Sequence, residues 1–232
     1  MPQGPIILLF IKAPVKGRVK SRLAKAVGDE AALELYRRFI LDIIATLKET
    51  GAPFRVFFFP AASSSEVSGL LGGLDARPQQ GNDLGKRMED AFRVVFSEGR
   101  RRAILIGSDI PDLPASIITD AYRALEKQNA VIGPARDGGY YLIGFNKSSF
   151  HPSIFRGIAW GTNSVFDETM KALQEAALTV WRAPVWGDVD TLDDLRDLVA
   201  RSKNGTFETS KTMEYIRQLG TSFFLNATQP ER

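Results

Sequence analysis

Short, continuous apolar runs recur along the chain, and segments of helical periodicity separate them. Because nearly every residue within such a run is apolar, each run is typical of a strand that is buried on both faces of a sheet. The runs predict strands at 6–11, 54–59, 103–107, 130–133, 140–145 and 178–183.

Apolar residues that recur at steps of three and four predict amphipathic helices between these strands. The clearest example covers 29–48, and Gly51 and Pro53 end it. The same spacing predicts helices at 84–96, 116–128, 163–176 and 191–201, and a further helix that begins near 63–66.

Strands that alternate with helices predict an α/β fold, with a mostly parallel central sheet and helices on both faces. We expect a single domain over 1–202. The more polar tail, 203–232, is typical either of a terminal helix packed on the domain or of a contact within a homo-oligomer. Sheets of this kind bind ligands at the carboxyl ends of their strands, so the polar segments that follow the strands form the candidate site.

The composition disfavours several classes of site and partner. The chain of 232 residues has no cysteine and one histidine, His151, so disulfides, thiolate metal sites and His-rich zinc sites are not expected. A bound metal must be held mainly by carboxylates, which favours Mg²⁺ or Mn²⁺. A net charge of +3 is too small to imply a nucleic-acid partner. The run 6–11 is too short for a membrane span and lacks signal-peptide features, so we expect a cytoplasmic protein.

A basic segment follows the first predicted strand. It contains Lys12, Lys16, Arg18, Lys20 and Arg22, with no acid before Asp29. At a connection from strand to helix, arginine and lysine side chains can hold a polyphosphate. The alternative is a solvated basic loop. Neither a Gly-x-Gly-x-x-Gly motif after a strand nor a Walker-type motif is present, so the P-loop and dinucleotide-binding folds are weakly supported.

Acidic residues follow two other predicted strands. Asp109 lies just beyond the third strand, where a carboxylate can hold a divalent ion that bridges the phosphates of a nucleotide. Asp112 is equally consistent with a turn or a helix cap. Four acids crowd 188–194, and a cation at Asp188 or Asp190 would relieve their repulsion, whereas the later two are typical of a helix N-terminus.

A glycine-rich segment follows the strand at 130–133. The paired glycines Gly138 and Gly139 let a main chain approach a ligand closely, and Asp137 beside them is a candidate substrate-binding carboxylate or general base. A hairpin turn is the alternative, because Asp-Gly is a strong turn signal. One cluster of basic residues and two clusters of acidic residues thus follow predicted strands. A metal ion bound together with a polyphosphate would neutralise both kinds of charge.

These residues, taken as a set, resemble a known superfamily. The matching stretches are 10–14, 20–23, 80–81, 84–88, 107–113, 133–135, 137–142, Trp160 with Thr162, and 188–191. The chain is similar to the nucleotide-diphospho-sugar transferases of the glycosyltransferase-A fold over most of its length. Within that superfamily it resembles a bacterial family of glycosyltransferases related to the guanylyltransferases of cofactor biosynthesis.

The resemblance implies roles for particular residues. It implies nucleotide binding by Lys12, Ala13, Pro14, Lys16, Lys20, Arg22, Gln80, Gly81, Arg87 and Ser108. It implies metal binding by Asp109 and Asp190 and an acceptor side shaped by Trp160 and Thr162. From the residues themselves we also expect acceptor binding by Gly138, Gly139 and Tyr140 and catalysis by Asp137 or Asp188. Two departures leave the reaction open. The glycine-rich opening loop of many sugar nucleotidyltransferases is replaced by 12–17, and the Asp-x-Asp of glycosyltransferases appears as Asp-Ile-Pro-Asp at 109–112.

Three functions fit these residues. Glycosyl transfer, our first expectation, would move a sugar from a nucleotide-sugar to a small acceptor with a divalent metal, and Asp137 or Asp188 would act as base. Nucleotidyl transfer would join a nucleoside triphosphate to a phosphorylated small molecule and release pyrophosphate. It needs no base, because the nucleophile is already anionic. A non-catalytic nucleotide-binding domain is the third function, which the dense acids disfavour.

Overall fold

A computed structural model gives the structure of the chain and describes residues 4–220. In that range, seven strands form one sheet: β1 (Ile6–Lys12), β2 (Phe54–Phe59), β3 (Ala76–Pro78), β4 (Arg102–Gly107), β5 (Ala130–Pro134), β6 (Tyr140–Asn146) and β7 (Val180–Arg182). Eight α-helices accompany them: α1 (Ser21–Val27), α2 (Asp29–Glu49), α3 (Ser64–Leu71), α4 (Leu84–Ser97), α5 (Ala115–Ala124), α6 (Val165–Glu175), α7 (Leu192–Ser202) and α8 (Lys211–Leu219). The predicted α/β fold is confirmed.

The order of strands in the sheet is β3-β2-β1-β4-β6-β5-β7. All neighbouring pairs are parallel except those that include β6, which is antiparallel to both β4 and β5. Because β6 runs the opposite way, its first residue, Tyr140, lies at the same edge as the carboxyl ends of the other strands. The short β5–β6 connection is the hairpin that the Asp-Gly signal offered as an alternative, and it lies at this ligand-binding edge.

The central strand β1 is buried on both faces. Its alternate side chains point into two cores: Ile7 and Leu9 pack with residues of α2, whereas Ile6 and Leu8 pack with residues of α4. All four are at most 2% exposed. Truncating one of them to alanine would cost about 2–5 kcal/mol of stability. The sheet is therefore a rigid platform for the loops at its carboxyl edge.

Two elements were not predicted from the sequence. Helix α1 lies within the stretch interpreted as a basic loop and ends at Gly28, whose φ of +83° separates it from α2. Strand β3 has three residues and pairs only with β2. Both elements are too short for hydrophobic periodicity to reveal, so only tertiary pairing defines them.

Helix α8 packs against α2. The carboxylate of Asp42 on α2 accepts hydrogen bonds from the backbone N–H groups of Lys211 (3.0 Å) and Thr212 (2.8 Å). Met213 and Ile216 are buried in the core on the α2 side of the sheet. Of the tail expected at 203–232, residues 221–232 lie outside the described residues. Within 4–220, no helix combines the length and apolarity that crossing a membrane requires.

Candidate active site

Two adjacent cavities open at the carboxyl edge of the sheet. The first cavity has a volume of 420 Å³ and the second a volume of 530 Å³. Among the predicted residues, the first is lined by Lys12, Lys20, Arg22, Arg87, Ser108, Asp109 and Asp190, and the second by Arg22, Asp109, Asp137, Gly139, Tyr140, Trp160, Thr162, Asp188 and Asp190. Arg22, Asp109 and Asp190 line both cavities, so a ligand in one lies next to a ligand in the other.

Lys20 lies at the floor of the first cavity. Its ammonium group contacts Asp109 Oδ1 at 2.5 Å and Asp190 Oδ1 at 2.8 Å, and its side chain is 3% exposed. Burial disfavours the ammonium, but the two carboxylates outweigh burial and raise the pKa of Lys20. The ammonium also lies 5.6 Å from the ring centre of Tyr36 and 5.7 Å from that of Phe39. Lys20 is therefore charged, enclosed and held in one position.

The backbone of Lys20 contributes to this placement. Its φ of 47° and ψ of 43° lie in the left-handed region, immediately before α1 begins. A lysine gains nothing locally from that conformation, which is unfavourable for residues other than glycine. Strain of this kind persists only where surrounding contacts impose it, and it is common at functional sites.

The two carboxylates that Lys20 contacts are brought together by the main chain. Asp109 follows β4, and its carbonyl accepts a hydrogen bond from the N–H of Val189 at 2.8 Å, which fixes the loop before α7. Thr191 caps α7 in a capping box with Asp194, whose carboxylate also accepts from the N–H of Asp190 at 3.1 Å. Asp194 thus has the capping role expected of it, and the carboxylate of Asp190 is left to face Lys20.

Charge around Asp190 favours its ionised form. Burial would raise the pKa of Asp190, but the positive charges of Lys20, Arg22 and Lys12 outweigh it and lower the pKa. These three cations come from β1, the segment after it and α1, whereas Asp190 precedes α7. Segments far apart in the chain therefore meet at one rim.

Tyr36 of α2 lies beneath the first cavity and contacts three of the segments that line it. Its hydroxyl accepts a hydrogen bond from the N–H of Lys12 at 2.8 Å and shares a second one with Ser108 Oγ, also at 2.8 Å. The side chain is 2% exposed, and its ring lies beneath the Lys20 ammonium. Tyr36 thus fixes the end of β1, the end of β4 and Lys20 relative to one another.

Asp109 and Asp190 fit a divalent ion only in part. Both carboxylates lie close to one nitrogen atom, so they are near enough to share a cation. No group of three or more acidic, histidine or cysteine side chains that could hold a metal occurs within residues 4–220. Mg²⁺ is commonly held by one or two carboxylates together with substrate phosphates. The pair therefore suits an ion that arrives with a polyphosphate.

The second cavity contains a different pair of carboxylates, Asp137 and Asp188. Burial, together with the charges of Asp137 and Asp190, raises the pKa of Asp188 to about 6. Asp137 Oδ1 accepts a hydrogen bond from the N–H of Gly139 at 2.8 Å, which stabilises the β5–β6 turn. Trp160 packs edge-on against Tyr140, with ring centres 6.5 Å apart. Aromatic surface and carboxylates together suit a small polar acceptor.

Several predicted residues line neither of these two cavities. They are Ala13, Pro14, Lys16, Gln80, Gly81 and Gly138. Lys16 is exposed and paired with Glu30. Gln80 is also exposed, and Ala13 is buried. Asp112, for which the sequence left two interpretations, forms a bidentate ion pair with Arg201 on α7, at 2.7 and 3.0 Å. It joins the loop after β4 to α7 and has a structural role.

Sequence reasoning assigned no role to several residues that line the first cavity, among them Phe59, Gln79 and Leu84. Gln79 is 8% exposed, and its N–H continues the β2–β3 ladder by donating to the Phe58 carbonyl at 2.8 Å. Because β3 was not predicted, nothing in the Gln79-Gln80 doublet indicated which of the two glutamines would point inward. Phe59 is the last residue of β2. Because ligands bind at the carboxyl ends of the strands in such a sheet, its position could have identified it.

Comparison with known proteins places the chain in a family. The profile of a family described as "uncharacterized protein conserved in bacteria (DUF2064)" matches residues 42–162. A solved structure from Desulfovibrio desulfuricans G20 is 39% identical, covers 96% of this chain and 97% of its own, and superposes with a TM-score of 0.92. The chain belongs to the DUF2064 family. The Desulfovibrio protein carries the provisional name nucleotide-diphospho-sugar transferase.

Two curated proteins are more distant relatives of this DUF2064 chain. A 2-phospho-L-lactate guanylyltransferase of Archaeoglobus fulgidus is 25% identical, over 90% of this chain and 89% of its own length. A phosphoenolpyruvate guanylyltransferase of Chloroflexus aggregans is 23% identical, over 84% of this chain and 99% of its own. The predicted resemblance to the nucleotide-diphospho-sugar transferases and to guanylyltransferases is therefore confirmed, and the chain is a transferase.

Proposed function

We propose that this DUF2064 protein is a guanylyltransferase that joins GTP to a phosphorylated small molecule and releases pyrophosphate. The observation that supports this proposal most strongly is that Lys20 lies buried between Asp109 and Asp190 in the first cavity. Four cationic side chains line that cavity, namely Lys12, Lys20, Arg22 and Arg87, against two carboxylates. A site with this excess of positive charge suits a triphosphate better than a neutral ligand.

The two guanylyltransferase relatives favour nucleotidyl transfer over our first expectation of glycosyl transfer. Both substrates of a nucleotidyl transfer are anionic, and both must reach the same rim. Arg22 lines both cavities, so one guanidinium can contact the donor in the first and the acceptor phosphate in the second. The two guanylyltransferases named above supply guanine as the proposed base and a phosphorylated carboxylic acid as the proposed acceptor class.

The proposed reaction is an in-line displacement at phosphorus. An oxygen of the acceptor phosphate forms a bond to the α-phosphorus of GTP, and the bond from that phosphorus to the bridging oxygen of pyrophosphate breaks. Lys20, Arg22 and Lys12 would stabilise the charge that develops on the phosphate oxygens. Asp109 and Asp190 would hold a Mg²⁺ or Mn²⁺ ion, which supplies further charge neutralisation when it is bound. No residue needs to remove a proton, because the attacking oxygen is already ionised.

An assay of the leaving group tests this proposal. The purified protein with Mg²⁺ is incubated with GTP and a panel of small phosphorylated acids, and pyrophosphate is measured. The proposal expects acceptor-dependent pyrophosphate release and a product that contains GMP. The proposal would be contradicted if the protein released nucleoside diphosphate from nucleotide-sugars and released no pyrophosphate from GTP with any of the acceptors.

Glycosyl transfer is the second candidate, and one observation favours it. Asp137 and Asp188 face the second cavity, where a nucleophilic hydroxyl group would need a base. The provisional name of the Desulfovibrio relative points the same way. The panel of nucleotide-sugars in the same assay distinguishes the two reactions, because glycosyl transfer releases nucleoside diphosphate and nucleotidyl transfer releases pyrophosphate.

A further inference from the structure

Part of the lining of the first cavity is apolar rather than charged. Three large apolar side chains are exposed among the described residues, and two of them, Phe59 (38%) and Leu84 (37%), line this cavity. Exposed apolar surface inside a charged cavity suits a flat, weakly polar group. Gln79 and Arg87 line the same cavity and add polar groups.

The side-chain amide of Gln79 is fixed in one orientation. Its Nε2 donates to the carbonyl of Phe57 at 2.9 Å and to that of Ile11 at 3.3 Å. Both partners are acceptors, so the NH₂ group must face them, and an amide flip would place oxygen against oxygen. Since both amide hydrogens are committed to the main chain, only Oε1 is left to meet a ligand. Gln79 can therefore act only as a hydrogen-bond acceptor in this cavity.

Arg87 provides the opposite polarity. Its guanidinium carbon lies 4.4 Å from the ring centre of Phe59, and Nε is buried without a hydrogen-bond partner among residues 4–220. Burial lowers the pKa of Arg87, which marks a cation with little compensating charge nearby. Buried N–H donors without partners are uncommon in folded proteins. Arg87 lines the cavity, and the terminal N–H groups of its guanidinium are donors that a ligand carbonyl oxygen would match.

The spacing of these groups from the phosphate rim suits a nucleotide. Asp109 follows β4 and Gln79 follows β3, and the strand order places β1 and β2 between them. With strands about 4.8 Å apart, the two residues lie roughly 14 Å from each other along the edge of the sheet. A nucleoside triphosphate extends over a comparable distance from its base to its phosphates.

We infer that Gln79 and Arg87 select guanine over adenine, by accepting from N1–H and donating to O6 of a base that packs against Phe59 and Leu84. The inference rests on the proposed guanylyl transfer and adds the residues that read the base. Adenine in the same position would direct an unprotonated N1 at Oε1 and an amino group at the guanidinium. Both contacts would be mismatched, and each mismatched base contact weakens binding by about 10- to 100-fold.

Nucleotide affinities test this inference without depending on turnover. Dissociation constants of GTP, ITP and ATP are measured with Mg²⁺ by calorimetry for the wild type, Gln79→Met and Arg87→Met. ITP keeps N1–H and O6 and lacks the 2-amino group, so it should bind nearly as well as GTP, and ATP at least about tenfold more weakly. Each variant should lose most of this preference, because GTP and ITP lose a hydrogen bond that ATP does not make. In Gln79→Met the affinity for ATP should stay within about threefold, whereas Arg87→Met also removes a positive charge from the cavity and should weaken the binding of all three nucleotides. Unchanged ATP binding in Gln79→Met also shows that the side chains that bind the phosphates are intact.

The outcomes separate this inference from the proposed function. A wild type that does not prefer GTP, or variants that keep the full preference, overturn the inference even if pyrophosphate is released from GTP. A Gln79-dependent preference without pyrophosphate release supports the base-reading residues and overturns guanylyl transfer. A wild type that binds none of the three nucleotides overturns both. If Gln79→Met does not fold, because it gives up two hydrogen bonds to the main chain, Arg87→Met decides.

Discussion

The Lys20 ammonium lies 2.8 Å from the carboxylate of Asp190, although 170 residues separate the two in the chain. The same nitrogen contacts Asp109, so one buried lysine side chain occupies the space between the two carboxylates proposed to hold a divalent ion. Lysine and metal are therefore expected to compete for the same oxygen atoms while substrate phosphates are absent. Arrival of a triphosphate would give the ammonium another anionic partner and leave the carboxylates to the metal.

Removing the ammonium should strengthen metal binding in the absence of nucleotide. Lys20→Met removes the ammonium that lies between two neighbouring carboxylates, and we expect Mn²⁺ to bind at least about tenfold more tightly, because a competing cation has gone and like charges repel. Titration followed by electron paramagnetic resonance measures the free ion. Lys16→Met is the matched control, since Lys16 is exposed and lines neither cavity. Equal Mn²⁺ affinity in Lys20→Met and the wild type would show that lysine and metal do not share a site.

The two hydrogen bonds of the Tyr36 hydroxyl should be measurable in the stability of the protein. Tyr36→Phe keeps the ring beneath Lys20 and removes bonds to Lys12 and Ser108, so the free energy of unfolding should fall by about 1–2 kcal/mol. Tyr122→Phe is the matched control, because the Tyr122 hydroxyl is buried without a partner in the described residues. That substitution should be neutral or slightly stabilising. Urea unfolding of the two variants compares them directly, and an equal loss in both would count against the role given to Tyr36.

The turn between β5 and β6 should tolerate a methyl group at one glycine and not at its neighbour. Gly138 has a φ of +88°, and a Cβ there would collide with the main chain of Asn163. We expect Gly138→Ala to destabilise the protein by at least about 2 kcal/mol. Gly139 has an ordinary conformation, and its Cβ would first meet the Asp137 carboxylate, at 3.1 Å. Thermal unfolding should show the smaller loss for Gly139→Ala; the reverse order would mean that this turn is built differently.

Acid should weaken the contribution of one buried carboxylate on α4. The Glu89 side chain is 4% exposed and contacts Lys86 at 3.0 Å and Arg93 at 2.8 Å. Burial raises its pKa, but hydrogen bonds and charges from the two cations outweigh burial and lower it from the ordinary 4.5. A lowered folded-state pKa stabilises the protein above about pH 4.5, and this stabilisation is lost as the pH falls through the folded pKa. The difference in unfolding free energy between the wild type and Glu89→Gln should therefore be constant near neutrality and shrink in acid.

The sequence predicted the sheet because its central strands are buried on both faces. The runs at 6–11 and 103–107 are apolar at every position or nearly so, and they form the neighbouring strands β1 and β4. The direction of β6 could not be inferred in the same way, since a fully buried strand reads alike in either orientation. Helix α1 and strand β3 are each too short to produce a periodic signal.

The site could be anticipated wherever a charged residue follows a predicted strand. Lys20, Asp109 and Asp190 were selected on that basis, and the structure brings them into contact. Whether Gln79 or Gln80 points into the cavity depends on the register of β3, and no pattern in the sequence indicated that register. The contacts of Tyr36 depend on packing between α2 and two loops, so its role was hidden within an ordinary helical stripe of apolar residues.

The effect of Mg²⁺ on GTP binding tests the central claim most directly, because that claim joins the metal, the phosphates and Asp109 in one site. The dissociation constant of GTP is measured with Mg²⁺ and with a chelator, for the wild type, for Asp109→Asn and for Asp120→Asn, an exposed carboxylate variant on α5. We predict that Mg²⁺ tightens GTP binding at least about tenfold in the wild type and in Asp120→Asn, and by less than about twofold in Asp109→Asn. The same Mg²⁺ enhancement in Asp109→Asn as in the wild type would contradict the account.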